Sequence, residues 1–466
     1  MALLAEYLRQ FGRFQRNARL YLISNALSGV TIGIILVLYN LYLTSLGYGP
    51  DFVGLVLFVL TVGIGVAIFP AGICVDRFGG KAILIWASVA IGISGTGQML
   101  FRQPAPLLVS SFLAGVASAF VYVVNAPFLT ANSTPAERSH LFSLNIVLTL
   151  VTTVFGELLG GVLPLWFRAT PWLMAPLSPW FSWLLASGAE PRSYQLALLL
   201  AGIIAVPSFF PLFLLSDDRP VPRASVSTVQ DRVLLRQRVH LMFAQWRPQT
   251  PVRTLLVRPI VILTVVQVLV GMGAGLFIPY FNLYFVRTLG ASSALFGVID
   301  GGANALNAVL TLLAPLLAAR IGKIRTITIT RMISLPLLLT IGFSHFLPLV
   351  AVLYLFRQSS MDMSVGIFQV FSMEAIPRHR RGLANSVYQV AAQASSALTT
   401  PLGGVIIARF GYLPVFVCGA ILYFIAISIL WARFRHSDDE GRKERDEEST
   451  SATVKSSDIA SPIERL

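Results

Sequence analysis

Apolar runs of about twenty residues, broken by short polar stretches, fill most of the chain, and each is long enough to cross a bilayer. In hydrocarbon a segment must satisfy its own backbone hydrogen bonds, so each run is predicted to be an α-helix. Twelve are predicted, at 19–44, 50–74, 82–101, 105–130, 141–166, 194–215, 259–286, 293–318, 326–344, 347–374, 383–408 and 412–433. Polar stretches then divide the chain into five parts. Residues 1–18 alternate Leu4, Leu8, Phe11 and Phe14 with Arg9, Arg13 and Arg16 at helical spacing, which predicts an amphipathic segment on the cytoplasmic surface. Residues 19–215 and 259–434 hold six helices each, and 216–258 is an arginine-rich cytoplasmic linker. Residues 435–466 are charged, Ser-rich and without periodicity, so a disordered cytoplasmic tail is expected. No apolar stretch precedes Leu20, so no cleavable leader is expected.

The two sets of six are copies. Ala26 to Leu43 reads ALSGVTIGIILVLYNLYL, and Val268 to Phe285 reads VLVGMGAGLFIPYFNLYF. Leu27, Gly29, Gly33, Asn40, Leu41 and Tyr42 recur as Leu269, Gly271, Gly275, Asn282, Leu283 and Tyr284. Leu159-Gly160-Gly161-Val162 returns as Leu402-Gly403-Gly404-Val405, and Pro135 returns as Pro377. The fold class that follows is an all-α integral membrane protein with twelve transmembrane helices in two pseudo-symmetric halves. Repeats of this kind characterise secondary transporters, whose site lies between the halves.

Charge fixes the expected orientation. The chain is 12% charged with a net charge of +14, which could suggest nucleic acid. Its distribution says otherwise. Of 35 lysines and arginines, all but six fall at the N-terminus, in the even-numbered loops and in the C-terminal tail. The exceptions are Arg102, Arg168, Arg192, Arg287 and Arg409 on the other side, and Arg357 inside a helix. That is the positive-inside pattern, so both termini are expected in the cytoplasm, the protein in the plasma membrane, and no nucleic acid among its partners. Cys74 and Cys418 fall at opposite faces in this topology, too far apart for a disulfide. The outer loop from Phe167 to Ser193 holds Trp172, Trp180 and Trp183, which read as interfacial anchors or as a lid.

One loop carries a signature. Gly72-Ile73-Cys74-Val75-Asp76-Arg77-Phe78-Gly79-Gly80-Lys81 follows the second helix. Asp76 can meet the positive N-terminus of a helix, while Arg77 and Lys81 can face lipid headgroups or carboxylates. The stretch resembles the loop 2–3 signature of the major facilitator superfamily, G-x-x-x-D-R-x-G-x-K. The resemblance covers about residues 19–434 and implies a gate made by Gly72, Asp76, Arg77, Gly79 and Lys81. The second copy, Ala319-Arg320-Ile321-Gly322-Lys323, lacks the acid. Gly156-Glu157-Leu158-Leu159-Gly160-Gly161 looks like the G-P-x-x-G-G segment of drug/proton antiporters in that superfamily, whose fifth helix packs on the eighth. Here Glu157 replaces the proline, which weakens the antiporter assignment and puts a carboxylate in the membrane.

Intramembrane charges are candidate functional sites by default. Glu157, Asp300 and Arg357 are candidates for coupling or substrate binding, and all three fall about 10–15 Å in from the outer helix ends at about 1.5 Å per residue. Asp362 lies deeper, about 140° around the helix from Arg357, so Arg357 is expected to pair with Glu157, Asp300 or an anionic substrate. A static ion pair, or a structural hydrogen bond for Glu157, is the competing reading. Asn25, Asn125, Asn145, Gln267, Asn304, Asn307, Gln369, Gln389 and Gln393 are candidate cavity residues. Asn40 with Tyr42, and Asn282 with Tyr284, can close an outer gate or simply sit at the interface.

Enzymatic readings do poorly. Gly92-Ile93-Ser94-Gly95 matches an intramembrane serine protease motif, but such a serine needs a base and all five histidines lie at helix ends or in loops. No metal cluster, cofactor site or phosphate-binding loop is expected. The expected function is a secondary active transporter working by alternating access, monomeric, moving a small molecule in proton-coupled efflux among membrane lipids. An uptake symporter, a lipid-handling protein or a transport-incompetent sensor on the same fold are the alternatives.

Overall fold

The computed structural model describes residues 14–134, 137–175, 184–216, 259–376 and 381–435. The first half holds α1 (Arg16–Ser45), α2 (Pro50–Phe78), α3 (Gly80–Leu100), α4 (Pro104–Ala131), α5 (Arg138–Ala169) and α6 (Ala189–Ala205). A 3-10 turn at Val206–Ser208 and the short helix Phe209–Phe213 extend α6. The second half holds α7 (Pro259–Phe277), α8 (Ser293–Ile321), α9 (Lys323–Phe343), α10 (Leu347–Glu374), α11 (Arg381–Phe410) and α12 (Tyr412–Phe434). The bounds of α2, α3 and α4 recur in α8, α9 and α10 shifted by a single constant, so the sequence repeat is also a repeat of elements. The expected tails, most of the 216–258 linker, and Trp180 and Trp183 lie outside the described residues.

Among the described residues, 11 helices are long and apolar enough to span a membrane. The twelfth, α10, has the length but carries Arg357, Gln358 and Asp362 in mid-helix. Large apolar side chains such as Phe69, Trp86, Ile93 and Leu312 are exposed, as suits a surface bathed in acyl chains. The chain is therefore an integral membrane protein, with these twelve helices among the described residues.

Punctuation is local. Pro50 and Pro104 open their helices at the first turn, where a missing N–H costs nothing. Gly79 and Gly322 sit at φ of 82° and 97°, values a side chain disfavours. Each closes one helix and opens the next: the Gly79 N–H donates to the Val75 carbonyl and the Gly322 N–H to the Ala318 carbonyl, both at 3.0 Å.

Contacts divide the chain into two compact units whose borders cut through helices. The first takes α1 to α6 together with residues 275–302 and 397–415. In it α1 packs on α5 and α6, and α4 on α2 and α3. One of its cores holds Tyr21, Leu22, Leu84, Val124, Phe128 and Leu212, with the Tyr21 and Phe128 rings 5.1 Å apart. The second unit takes residues 253–274, 303–396 and 416–466. There α9 packs on α10 around a core including Leu263, Ile327, Phe368, Phe371, Ala426 and Leu430.

Candidate functional site

The distal end of the first unit, where α1 stops and α2 starts, brings the repeats together. Asn40 Nδ2 donates to the Pro279 carbonyl at 2.7 Å, and Asn282 Nδ2 donates back to the Val37 carbonyl at 3.3 Å. Each asparagine reaches the carbonyl three residues before its own counterpart, so the contact obeys the repeat. Tyr42 takes no part in it. Its hydroxyl donates to the Met99 carbonyl at 2.7 Å, and Tyr284 lies 4.9 Å from Tyr412, ring to ring. Glu190 closes the same end, 2.9 Å from Arg287 and 3.8 Å from Arg168.

Glycines set two further distal junctions. A Cβ on Gly160 would come within 2.9 Å of Ile34 Cα, and one on Gly161 within 2.8 Å of the Ser293 carbonyl oxygen. In the second repeat a Cβ on Gly403 would lie 2.9 Å from Leu276 Cα, and one on Gly404 2.9 Å from the Pro50 carbonyl carbon. So α5 packs on α1 and the start of α8, and α11 packs on residue 276 and the start of α2. Helix five does pack on helix eight, as the antiporter-like segment implies. Glu157 lies at the α5–α8 junction, 1% exposed. Its carbonyl oxygen is 2.5 Å from a Cβ position on Gly297, and its Oε2 is 3.6 Å from one on Gly301, beside the half-buried Asp300.

Other expected residues of this unit are placed as follows. Asn25 Nδ2 donates to Asn145 Oδ1 at 2.8 Å. Asn125 keeps its Oδ1 buried with no hydrogen-bond partner among the described residues. At the loop signature, Arg77 is exposed and lies 5.4 Å from the Phe78 ring. Lys81 donates to the Leu215 carbonyl at 2.5 Å, past the end of the sixth helical stretch, a use of its charge the sequence reading missed. A Cβ on Gly72 would meet open space. The side chain of Asp76 lies outside the described ones. The loop between α5 and α6 is fastened by Arg192, 6% exposed, which donates to the carbonyls of Ala186 at 2.8 Å and Ala175 at 2.7 Å. Ser94 donates back to the Ala90 carbonyl of its own helix at 2.7 Å.

The second unit holds a buried charge cluster. Arg357 is 0% exposed, and its Nη1 donates to Gln358 Oε1 at 2.9 Å. Gln358 Nε2 donates in turn to Asp362 Oδ2 at 2.6 Å. The amide thus bridges the angular gap that seemed to exclude Asp362. Arg357 also hydrogen-bonds Tyr423 of α12, and Asp362 lies within the field of both Arg357 and Arg331. Gln358 and Tyr423 are thus partners of Arg357 within its own unit that the sequence reading did not name. Arg331 was missed altogether, grouped with the cytoplasmic charges although it lies inside the 326–344 run. It is 3% exposed, donates from Nε to Ser364 Oγ at 2.9 Å and stacks 5.0 Å over Phe368. Of the cavity candidates, Asn307 accepts from Thr311 at 3.1 Å, Gln267 and Asn304 are half-buried, and Gln369, Gln389 and Gln393 are exposed.

Two repeats of six helices, glycine-packed junctions and charges buried in the bundles define a polytopic membrane transporter. The model of the Major Facilitator Superfamily matches residues 21–400 and 263–463, and the chain belongs to that family. Among curated proteins none matches. Solved structures share the fold. A bacterial homologue of the human lysosomal transporter Spinster, inward-facing and unoccupied, is 13% identical with a TM-score of 0.66, covering 90% of this chain and 96% of that one. A bacterial homologue of the iron transporter ferroportin, inward-facing, is 15% identical with a TM-score of 0.66, covering 90% and 98%. A D-xylose–proton symporter is 16% identical with a TM-score of 0.64, covering 89% and 97%.

Proposed function

We propose that the protein exports a small amphipathic compound in exchange for protons, by alternating access, as a monomer in the plasma membrane with both termini cytoplasmic. The distal junctions then face outward and form the outer gate. Asp76, Arg77, Gly79 and Lys81 belong to the inner gate, and Asn25, Asn125, Asn145, Gln267, Asn304, Asn307 and Gln389 to the polar lining. The observation that carries this reading is Glu157, a carboxylate 1% exposed at a junction that must part for the outer side to open. A carboxylate there is costly when charged and unpaired, so its proton and its helix contacts are linked. A proton taken up in one state and released in the other biases the equilibrium between them, which is what coupling requires.

The test uses purified protein in proteoliposomes with a trapped pH-sensitive dye, challenged with a panel of amphipathic drugs. Wild-type protein should couple proton release to the entry of at least one compound. Glu157→Gln, a permanent mimic of the protonated form, should lose that signal while the thermal shift given by the same compound persists. Normal proton-coupled flux in Glu157→Gln would make Glu157 structural and move the coupling role to Asp300 or Asp362.

A further inference from the structure

The two segments joined by Asn40 and Asn282 are copies in sequence but not in backbone. α1 runs unbroken from Arg16 to Ser45. Its repeat leaves the α-helix after Phe277, takes a 3-10 turn over Ile278–Tyr280 and a short helical stretch over Phe281–Leu283, and ends in a π turn over Tyr284–Thr288. Pro279 is the local cause. It stands where α1 has Val37. It has no N–H for the Gly275 carbonyl, and in a regular helix its ring crowds that carbonyl. Phe277, at φ of −134°, and Tyr280, at φ of −106°, lie off helical values.

The bend opens one rung of the helical ladder. In a regular α-helix the Leu283 N–H donates to the Pro279 carbonyl. Here the Leu283 N–H donates to Asn282 Oδ1 at 2.8 Å, and the Pro279 carbonyl accepts from Asn40 Nδ2 at 2.7 Å. Asn40 Nδ2 also reaches Asn282 Oδ1 at 3.3 Å. Asn282 Nδ2 reaches the carbonyls of Val37 at 3.3 Å and Leu36 at 3.4 Å. Both ends of the open rung are thus held by the side chains of the clasp. Asn40, Asn282 and Leu283 are all buried, where a backbone group without a partner is costly.

We propose that this rung is a switch: when α1 parts from residues 279–283, the Leu283 N–H and the Pro279 carbonyl pair with each other, and the stretch becomes a regular α-helical turn. The exchange is one for one. In the closed form two asparagines satisfy the two backbone groups; in the open form the groups satisfy each other and the asparagine side chains meet water. Parting therefore strands no backbone group, and the two arrangements are discrete, as a gate requires. α1, with Val37 in place of the proline, closes its own ladder throughout, so the change falls on the second repeat alone. The inference rests on the reading of this end as the outer gate and names the segment that changes form.

The test follows maleimide labelling of Leu38→Cys in the full-length purified protein without Cys74 and Cys418; Leu38 is 0% exposed. Asn40→Ala removes the donor that the clasp gives to Pro279, so labelling should speed up about tenfold, the shift that one lost buried hydrogen bond brings. Pro279→Ala separates a switch from a static tie. It supplies an N–H that the regular helix pairs with Gly275, so it too should speed labelling, at an unchanged melting temperature. Faster labelling in Asn40→Ala alone would make the clasp a static tie, and faster labelling in neither variant, or only with unfolding, overturns the switch. Residue-resolved hydrogen exchange gives an independent readout. In the double variant Asn40→Ala/Asn282→Ala the Leu283 amide should stay protected while the reporter labels, because the Pro279 carbonyl has become its partner; fast exchange there overturns the switch. Flux of a compound in the wild type with labelling unmoved by these variants overturns the switch and leaves the transport reading standing. Labelling that shifts as stated without flux of any compound does the reverse.

Discussion

At one distal junction Gly161 of α5 lets the start of α8 approach; at its counterpart Gly404 of α11 lets the start of α2 approach. The frames match, down to Gly160 against Ile34 and Gly403 against Leu276. The polar groups do not. Glu157 fills the first junction. Its counterpart is Thr400, whose carbonyl accepts from the Tyr280 hydroxyl at 2.6 Å. One junction is held by a neutral hydrogen bond and the other contains a group that can change charge. The packing repeats, and the polar group at this one position differs. Residues that break the repeat at a conserved geometry are therefore the ones to test for function.

The largest expected effect breaks both frames together. Gly161→Val and Gly404→Val each push a side chain into backbone across the junction, a cost of about 3 kcal/mol. In a background lacking Cys74 and Cys418, Leu38→Cys replaces a side chain that is 0% exposed, and it should become accessible to an impermeant maleimide in both variants. Labelling in one variant and protection in the other would show that the two frames are not equivalent.

A second pair of variants isolates the chemistry. Glu157→Thr makes the first junction resemble the second. Flux that responds about tenfold to one pH unit, the equilibrium value for one coupled proton, should become flat. Thr400→Ala should leave the pH response intact, and loss of the response there would assign coupling to the wrong junction.

The smallest effect concerns the ion pairs at the rim. Glu190 lies 2.9 Å from Arg287, but the two side chains are 39% and 36% exposed, so water screens them. Glu190→Gln should destabilise the contacts at the distal end by less than about 1 kcal/mol. The difference in Leu38→Cys labelling should vanish at high salt. A large effect that persists in salt would make this latch, rather than the glycine junctions, the main closure.

The interior charges show where reading the sequence stops. Glu157 and Arg357 stood out because each interrupts a long apolar run. Arg331 did so too, yet its position near the start of a run let it pass for a surface charge. Asp362 was set aside on helical angle alone, which is blind to a side chain such as Gln358 that spans the gap. Arg192 and Lys81 read as orienting charges, and both also cap or staple nearby carbonyls.

Sequence by itself determined the helices, their number and their duplication, because a membrane forces every spanning segment to close its own hydrogen bonds and so writes each one as an apolar run. It also determined the glycine turns at Gly79 and Gly322, where backbone sterics act within a few residues. Tertiary structure alone decided that Asn40 and Asn282 clasp each other's backbone, that Glu157 faces glycines of α8, and that Arg331 joins Arg357, Asp362 and Tyr423. Those pairings join residues far apart in the chain, through side-chain directions that no local pattern encodes. The energy that selects them comes from desolvation and close packing, which exist only once the helices have met.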